Sequence, residues 1–198
     1  MTVIKPFSQA CENNKAPILD ILKTAFESST SVLEIGSGTG QHAVHFAPAL
    51  SHLQWYTSDR SENHAGINFW LNEMPADNLH RPILLDVDMP EWPELSIDGV
   101  FTANTCHIMP WHSVETMFSG VGRLLSAGGI FCLYGPFNYG GNFTSDSNAS
   151  FDMSLKLEAP HMGIRDFEAI EQLAFDNGFA LKADKHMPAN NRLLVFGK

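Results

Sequence analysis

The chain has 198 residues, of which 44% are hydrophobic and 17% are charged, which indicates one globular domain over residues 1–198 and excludes a disordered chain. Its 22 acidic and 12 basic residues give a formal net charge of −10 with no basic cluster, so nucleic acid is not an expected partner. No apolar run is long enough to span a membrane and the first residues lack a signal-peptide pattern, so the cytoplasm, with no membrane contact, is the expected location.

The cysteine and histidine spacings do not predict a metal site. Cys11, Cys106 and Cys132 are odd in number and far apart, which is more typical of buried thiols than of disulfides or zinc ligands. His42 and His45 stand three residues apart on a predicted helix, but no third ligand has suitable spacing. We therefore expect no bound metal.

Pro17 marks the expected start of the first helix, because proline fits the first helical turn. Residues 1–14 are expected to be irregular. The apolar face of this helix follows at helical spacing and consists of Ile18, Ile21, Leu22 and Ala25.

The stretch from residue 31 to residue 47 predicts a strand, a glycine turn and a helix. Residues 31–35 form an apolar run of strand type, and Gly36, Gly38 and Gly40 follow it. A helical pattern then continues to Pro48, which is expected to stop or bend the helix after residue 47. Glycine lets the backbone take positive φ and lets a ligand lie against bare peptide groups. This unit opens nucleotide-binding α/β sheets, although a plain tight turn is the alternative.

The spacing of the glycines distinguishes two kinds of nucleotide site. A dinucleotide fingerprint needs glycine at position 41, which is Gln41, and the third glycine comes one residue early. With Glu34 two residues before the first glycine, the segment resembles the first motif of class I S-adenosylmethionine-dependent methyltransferases. The resemblance implies that the backbone of residues 36–40, including Ser37, faces the methionine end of the cofactor. It also implies that Glu34 helps to hold the cofactor's amino group.

The second predicted strand, residues 54–58, ends at an acid. Asp59 stands nineteen residues past Gly40, close to the spacing at which an acid receives ribose hydroxyls in such sheets. The alternative is an aspartate that caps the next helix, predicted over residues 62–74. Arg60 is expected to line the adenine side.

The third predicted strand, residues 82–85, also ends at an acid, Asp86. The resemblance implies that Asp86 meets the adenine amino group and that the backbone N–H of Val87 meets the adenine ring. A single acid after a strand is common, so this assignment depends on the two earlier motifs.

The fourth predicted strand, residues 97–103, places Asn104 and His107 at its carboxyl end. Ligands bind outside the carboxyl ends of the strands in such sheets, so both side chains are expected to meet a substrate, and Asn104 also the cofactor. His107 is the candidate general base, with a structural histidine as the alternative. A helix over residues 113–125 and a fifth strand over residues 130–134 are expected to follow.

Residues 135–162 are rich in glycine, serine, asparagine and aromatic residues, with only residues 152–157 expected to be helical. Long irregular segments in compact domains tend to be lids or binding loops, so we expect this one to form the wall of the acceptor site. A mobile surface loop is the alternative. The candidate substrate-binding residues in and before it are Tyr134, Phe137, Tyr139, Asn142, Phe143 and Asn148.

The C-terminal residues predict a helix over 166–177 and two strands over 179–185 and 192–197. A terminal hairpin adds one antiparallel strand to a parallel sheet, which is a hallmark of class I methyltransferases and not of dehydrogenases. The expected fold is therefore α/β and Rossmann-like: a seven-stranded, mostly parallel sheet with helices on both faces. The sequence segments 104–111, 134–137 and 187–191 resemble those of one small domain-of-unknown-function family of methyltransferase-like proteins.

These observations predict an S-adenosylmethionine-dependent methyltransferase that acts on a small molecule and releases S-adenosylhomocysteine. A non-catalytic protein that binds the same cofactor is the first alternative, because an intact cofactor site does not establish an acceptor site. A nicotinamide-dependent oxidoreductase is a weaker one, because Gln41 and the terminal hairpin conflict with it.

Overall fold

Short apolar runs form the strands of the sheet. A computed structural model describes residues 5–198. The strands in this range are β1 (Ser31–Ile35), β2 (Gln54–Asp59), β3 (Leu79–Leu84), β4 (Gly99–Ala103), β5 (Ile130–Gly135), β6 (Phe137–Asn138), β7 (Arg165–Asp166), β8 (Ala180–Met187) and β9 (Asn191–Gly197).

Helices connect most of these strands. In the same range they are α1 (Gln9–Ala25), α2 (Gln41–Ala49), α3 (His64–Glu73), α4 (Trp111–Leu124), α5 (Asp146–Glu158) and α6 (Phe167–Asp176). None of the helices in residues 5–198 is long and apolar enough to cross a membrane.

The main sheet has the strand order β3-β2-β1-β4-β5-β9-β8. Neighbours from β3 through β5 pair in parallel, and β9 pairs antiparallel with both β5 and β8. The predicted fold, including the single antiparallel strand in the C-terminal hairpin, is confirmed. Because the order reverses between β1 and β4, the crevice at their carboxyl ends is the place where this kind of sheet binds ligands.

Alternate residues of each central strand face two separate cores, as the two-residue period of a strand requires. Val32 and Phe101 pack with α1 and α2 on one face. Leu33 and Val100 pack with α4 and α6 on the other face. The central strands are therefore covered on both faces, and their parallel pairing brings their carboxyl ends to the same edge of the sheet.

The first helix begins earlier than the sequence predicts. It starts at Gln9, because Ser8 caps it by accepting a hydrogen bond from the N–H of Cys11 at 3.3 Å. Pro17 lies inside the helix and not in its first turn. The expected irregular segment 1–14 is thus wrong from Gln9 onward, and its first four residues lie outside the described range.

Other boundaries also differ from the prediction, among them that of β3, which begins at Leu79 and not at residue 82. Helix α2 passes through Pro48 and ends at Ala49, so the expected stop after residue 47 is wrong by two residues. Helix α5 covers 13 residues, not only residues 152–157, because Ser145 caps it by accepting from the N–H of Asn148 at 3.1 Å. The segment 135–162 is therefore largely ordered around a helix.

Candidate functional site

The chain bends sharply between β1 and α2, and all three glycines of the bend have positive φ. The values are 71° at Gly36, 58° at Gly38 and 88° at Gly40. A Cβ atom on Gly36 would lie 2.8 Å from Cγ2 of Thr105, whereas one on Gly38 would enter open space. The backbone of Gly38 is therefore bare on its open side, as a cradle for a ligand requires.

Gln41, the residue that breaks the dinucleotide pattern, joins this bend to α1. Its Oε1 accepts from the N–H of Ser8 at 2.6 Å. Its Nε2 donates to the carbonyl oxygen of Ser8 at 3.3 Å and to Oε1 of Glu12 at 2.6 Å. The side chain is almost fully buried, so these bonds fix the start of α1 against the glycine bend.

Asp59 closes the carboxyl end of β2 and faces the glycine bend. Its Oδ2 accepts from the N–H of Gly38 at 2.7 Å, and its Oδ1 accepts from the N–H of Arg60 and from Nδ2 of Asn63, each at 2.8 Å. A carboxylate offers about four acceptor positions. Three are used, so Asp59 as placed has one position left, on Oδ2, for a ribose hydroxyl.

The residues predicted to surround adenine lie near Asp59 but differ in exposure. Arg60 is largely exposed and pairs with Glu62 at 3.0 Å. It does not line the cavity between the glycine bend and the carboxyl ends of β4 and β5. Asp86 accepts from the N–H of Asp88 at 3.1 Å. The N–H of Val87 makes no hydrogen bond within residues 5–198 and remains available as a donor.

Glu34 lies beneath the bend and not on its open side. It is 2% exposed, and its Oε2 accepts from Nε1 of Trp55 at 3.0 Å. Burial raises the pKa of Glu34 to about 7, against the smaller opposing effect of the Trp55 hydrogen bond. The predicted contact with a cofactor amino group would therefore require this side chain to reach out from behind the loop.

A cavity of about 640 Å³ opens between the glycine bend, the start of α1 and the carboxyl ends of β4 and β5. Seven of the residues predicted from the sequence to bind cofactor or substrate line it: Gly36, Ser37, Gly38, Asn104, His107, Tyr134 and Asn148.

Other residues predicted to bind substrate lie elsewhere. Phe137 is buried in the core next to α4 and α6. The hydroxyl of Tyr139 donates to Oδ2 of Asp184 at 2.8 Å. Asn142 belongs to a tight turn, in which its Nδ2 donates to the carbonyl oxygen of Gly140 at 2.8 Å. Neither these residues nor Phe143 line the cavity, so we do not include them among the substrate-binding residues.

One side of the cavity is formed by α5 and the turn between β8 and β9. We call this side the α5 wall and define it by Ser147, Asn148, Phe151, Pro188 and Ala189. Ala189 and the neighbouring Asn190 both have positive φ, 57° and 58°, which is uncommon for residues other than glycine.

The β8–β9 turn is tied to α5 by two hydrogen bonds. Nδ2 of Asn148 donates to the carbonyl oxygen of Asn190 at 3.3 Å, and Nδ2 of Asn190 donates to Oγ of Ser147 at 3.2 Å. Sequence reasoning assigned only Asn148 of the α5 wall to the site. A signal was present in the asparagines that follow Pro188, since Asn tolerates positive φ in tight turns.

The start of α1 adds Cys11, Asn13 and Asn14 to the cavity. The sequence favours a helix entry for the polar segment 12–15, with a fold over the carboxylate of the cofactor as the alternative. Oδ1 of Asn14 lies 2.7 Å from Nε2 of His42, and the His42 ring stacks on Phe46 with ring centroids 5.2 Å apart. Burial lowers the pKa of His42 to about 4. His42 is therefore neutral at pH 7 and part of the cavity floor.

His107 lines the cavity opposite the glycine bend, held by the loop after β4. Its carbonyl oxygen accepts from the N–H of Gly163 at 2.9 Å. Arg165 fixes the same loop by donating to the carbonyl oxygens of Cys106 at 2.9 Å and Met109 at 2.6 Å. Burial, with a smaller effect of Arg165, lowers the pKa of His107 to about 4. The ring is therefore neutral at pH 7, the form that accepts a proton.

Asn104 presents an unbonded amide at the carboxyl end of β4. Its φ is 59°, a left-handed conformation that asparagine tolerates better than most residues. Its backbone N–H donates to the carbonyl oxygen of Tyr134 at 2.9 Å, whereas its side chain makes no hydrogen bond within the described residues. An amide with free donors and acceptors thus stands at the carboxyl end of β4.

In residues 5–198 no group of three or more His, Cys, Asp or Glu side chains is arranged to hold an ion. His42 bonds to Asn14, and Nε2 of His45 is buried without a hydrogen-bond partner in the described residues. The two histidines therefore do not share a ligand set.

A family model described as "Protein of unknown function (DUF938)" matches residues 5–198. An O-methyltransferase family protein from Burkholderia thailandensis superposes with a TM-score of 0.80 and 14% identity over 93% of this chain and 56% of its own. An O-methyltransferase family 2 protein from Planctomyces limnophilus, in complex with apigenin, superposes with a TM-score of 0.83 and 12% identity over 96% of this chain and 58% of its own. A structure of PigF with SAH, the demethylated cofactor, superposes with a TM-score of 0.80 and 16% identity over 92% of this chain and 55% of its own.

The chain spans little more than half the length of these solved proteins. At such low identities the likeness shows the fold alone, which is that of the class I S-adenosylmethionine-dependent methyltransferases.

Proposed function

The chain belongs to the family described as a protein of unknown function, DUF938, and we propose that it is an S-adenosylmethionine-dependent methyltransferase with a small-molecule acceptor. The observation that carries the proposal is the glycine bend, whose bare backbone at Gly38 opens onto the 640 Å³ cavity and is held by Asp59. The fold likeness to methyltransferases supports the same proposal at the level of the fold.

The cofactor-binding residues follow from this geometry. Gly36, Ser37 and Gly38 would receive the methionine end, because their backbone lines the cavity. Asp59 lies beside the glycine bend and outside the lining of the cavity, and it would accept one hydroxyl of a ribose that extends past the bend through the free position on Oδ2. Adenine would then lie toward Asp86 and Val87, where a backbone N–H is available.

When bound, S-adenosylmethionine supplies a methyl group that an acceptor lone pair takes as the C–S bond breaks and its electron pair stays on sulfur. The chain's own contribution is chiefly to position the two reactants, an effect worth up to about 7–11 kcal/mol in favourable cases. His107 would take the proton that an acceptor hydroxyl releases, because it lines the cavity and is neutral at pH 7. Asn104 would orient the acceptor.

A matched pair of glycine substitutions tests the proposal. Gly38 and Gly140 have φ values of 58° and 57°, and in each case an added Cβ meets nothing closer than 4.0 Å. Gly38→Ala and Gly140→Ala should therefore destabilise the fold to a similar extent, by about 1–2 kcal/mol each. Only Gly38→Ala places a methyl group where the cofactor would lie.

Isothermal titration calorimetry with S-adenosylhomocysteine measures the difference between the two variants. We expect wild type and Gly140→Ala to bind alike and Gly38→Ala to bind at least ten times more weakly. Equal affinity of the two variants, or no binding by the wild type, would contradict the proposal. Parallel titration with NAD⁺ tests the oxidoreductase alternative, and turnover measurements separate an enzyme from a protein that only binds the cofactor.

A further inference from the structure

The cavity wall carries no charged side chain among the described residues. Aspartate, glutamate, lysine and arginine make up 17% of the chain, yet the wall consists of small, apolar, aromatic, hydroxyl, amide, thiol and imidazole groups. The buried acids at the glycine bend, Glu34 and Asp59, bond to Trp55 and Gly38 and do not line the cavity. A ligand on the side of the α5 wall, away from the glycine bend, therefore meets uncharged side chains.

The ionisable side chains on this wall are also held in their neutral forms. Burial lowers the pKa of both His42 and His107 to about 4. Burial raises the pKa of the Cys11 thiol and of the Tyr134 hydroxyl. At pH 7 the wall thus offers hydrogen bonds and apolar surface, but no fixed charge.

The α5 wall provides an acceptor for a hydrogen bond. Asn148 is 5% exposed, and its Nδ2 is used by Oγ1 of Thr144 at 2.9 Å and by the carbonyl oxygen of Asn190 at 3.3 Å. Its Oδ1 makes no hydrogen bond to another described residue. With both donors engaged, this amide can accept from a ligand O–H but has no N–H left for an anion.

Apolar surface lies beside these groups. Phe151 contacts the His107 ring edge-on, with ring centroids 5.4 Å apart, and it is 41% exposed. Ile108, also on the cavity wall, is 43% exposed. A ligand with an apolar face would cover both side chains, which favours its binding.

From this wall we infer that the methyl acceptor is an uncharged hydroxylated molecule with an apolar ring face, an inference that rests on the proposed function. Away from the glycine bend, whose backbone groups would receive the ammonium and carboxylate of the cofactor, a charged acceptor would need a carboxylate, lysine or arginine side chain as its partner. No such side chain lines the cavity there, and a buried charge without a partner is strongly unfavourable.

The chemical step balances for such an acceptor. The hydroxyl oxygen forms a bond to the methyl carbon as the C–S bond breaks, and sulfur keeps that electron pair. The hydroxyl proton passes to a ring nitrogen of His107 and then to solvent. A neutral ether is formed, so the products add no charge to the wall.

Three probes with the same ring system test the inference. These are 2-naphthol, 2-naphthoate and 2-naphthylmethylammonium, which at pH 7 are neutral, anionic and cationic. Their binding is measured by calorimetry on the full chain saturated with S-adenosylhomocysteine, which has no sulfonium and no net charge, so the comparison of the probes excludes attraction to or repulsion from the sulfonium. We expect the neutral probe to bind at least ten times more tightly than either charged one.

A pair of serine substitutions on α5 assigns this preference to the wall. Ser147 lines the cavity, whereas Ser150 lies on the same helix outside it. Ser147→Asp adds a carboxylate in the first helical turn, where an acid is tolerated well. We expect Ser147→Asp to improve binding of the ammonium probe at least tenfold relative to 2-naphthol, and Ser150→Asp to leave that ratio unchanged.

The outcomes separate this inference from the proposed function. If S-adenosylhomocysteine does not bind, both fail. If it binds and 2-naphthol binds no better than the charged probes, including the case in which none binds, only the neutral-acceptor inference is overturned. No shift in Ser147→Asp, or an equal shift in Ser150→Asp, also overturns it.

Discussion

The glycine bend and the α5 wall face the same cavity, but they are built from different kinds of contact. The bend is a local structure, in which three glycines within five residues take positive φ and Asp59 from the neighbouring strand supports them. The α5 wall joins Ser147 and Asn148 to Asn190, some forty residues away in the chain. The side of the cavity that we propose for the cofactor thus depends on backbone shape, whereas the side that we propose for the acceptor depends on side chains brought together by folding.

The largest effect is expected on the acceptor side, from His107→Ala. General bases contribute about 10²–10⁴ to the rate, so turnover at saturating cofactor should fall by that factor, with cofactor affinity unchanged. The measurement is S-adenosylhomocysteine formation with 2-naphthol as the acceptor. Because burial lowers the pKa of His107 to about 4, wild-type turnover should not fall through protonation of this residue between pH 8 and pH 5.

His112→Ala is the control for this variant, since His112 has a largely exposed side chain near the same loop. It should leave turnover unchanged. If His107→Ala keeps wild-type turnover, His107 is not the base and serves only as part of the cavity lining.

The next effect is the pH dependence of stability that comes from Glu34, which lies beneath the glycine bend. Burial raises the pKa of Glu34 to about 7, from an ordinary value of 4.5. Because the folded state holds this proton more tightly than the unfolded state, the contribution of Glu34 to stability is fully present below pH 4.5. It is lost as pH rises through about 7. Glutamine stays neutral throughout and keeps an acceptor for Trp55.

Urea unfolding of wild type and Glu34→Gln at several pH values measures this contribution. The free energy of unfolding of the wild type, relative to that of Glu34→Gln, should decrease by up to about 3 kcal/mol between pH 4.5 and pH 7. Glu27→Gln, at an exposed acid, should show no such change. If the free energies of unfolding of wild type and Glu34→Gln change in parallel with pH, the carboxyl beneath the bend is not shielded from water.

The same contrast explains which parts of the molecule could be predicted from the sequence. The mostly parallel sheet and its antiparallel hairpin could be predicted from the glycine motif, the family resemblance that it carries and the C-terminal strands, whose signals lie within short segments. The start of α1 could not be placed, because it depends on Ser8 as a cap and on Gln41, a residue 33 positions away in the chain.

Helix α5 was underpredicted for a related reason. Its first turns are polar, and Met153 and Leu157 remain exposed, so its sequence lacks the apolar periodicity that identifies a helix. Aromatic residues such as Phe137 and Tyr139 were assigned to a ligand site because burial was expected of them. The structure buries Phe137 in the core and bonds Tyr139 to Asp184, a choice that depends on long-range packing.

The most direct test of the central claim is the affinity of Asp59→Ala for S-adenosylhomocysteine, measured by calorimetry with thermal unfolding to verify the fold. A hydrogen bond to a charged group contributes about 1.5–3 kcal/mol, so one lost ribose contact should weaken binding about 10- to 100-fold. Glu62→Ala removes a nearby exposed acid that pairs with Arg60, and it should bind like the wild type. Wild-type affinity in a folded Asp59→Ala, or an equal loss in Glu62→Ala, would contradict the account.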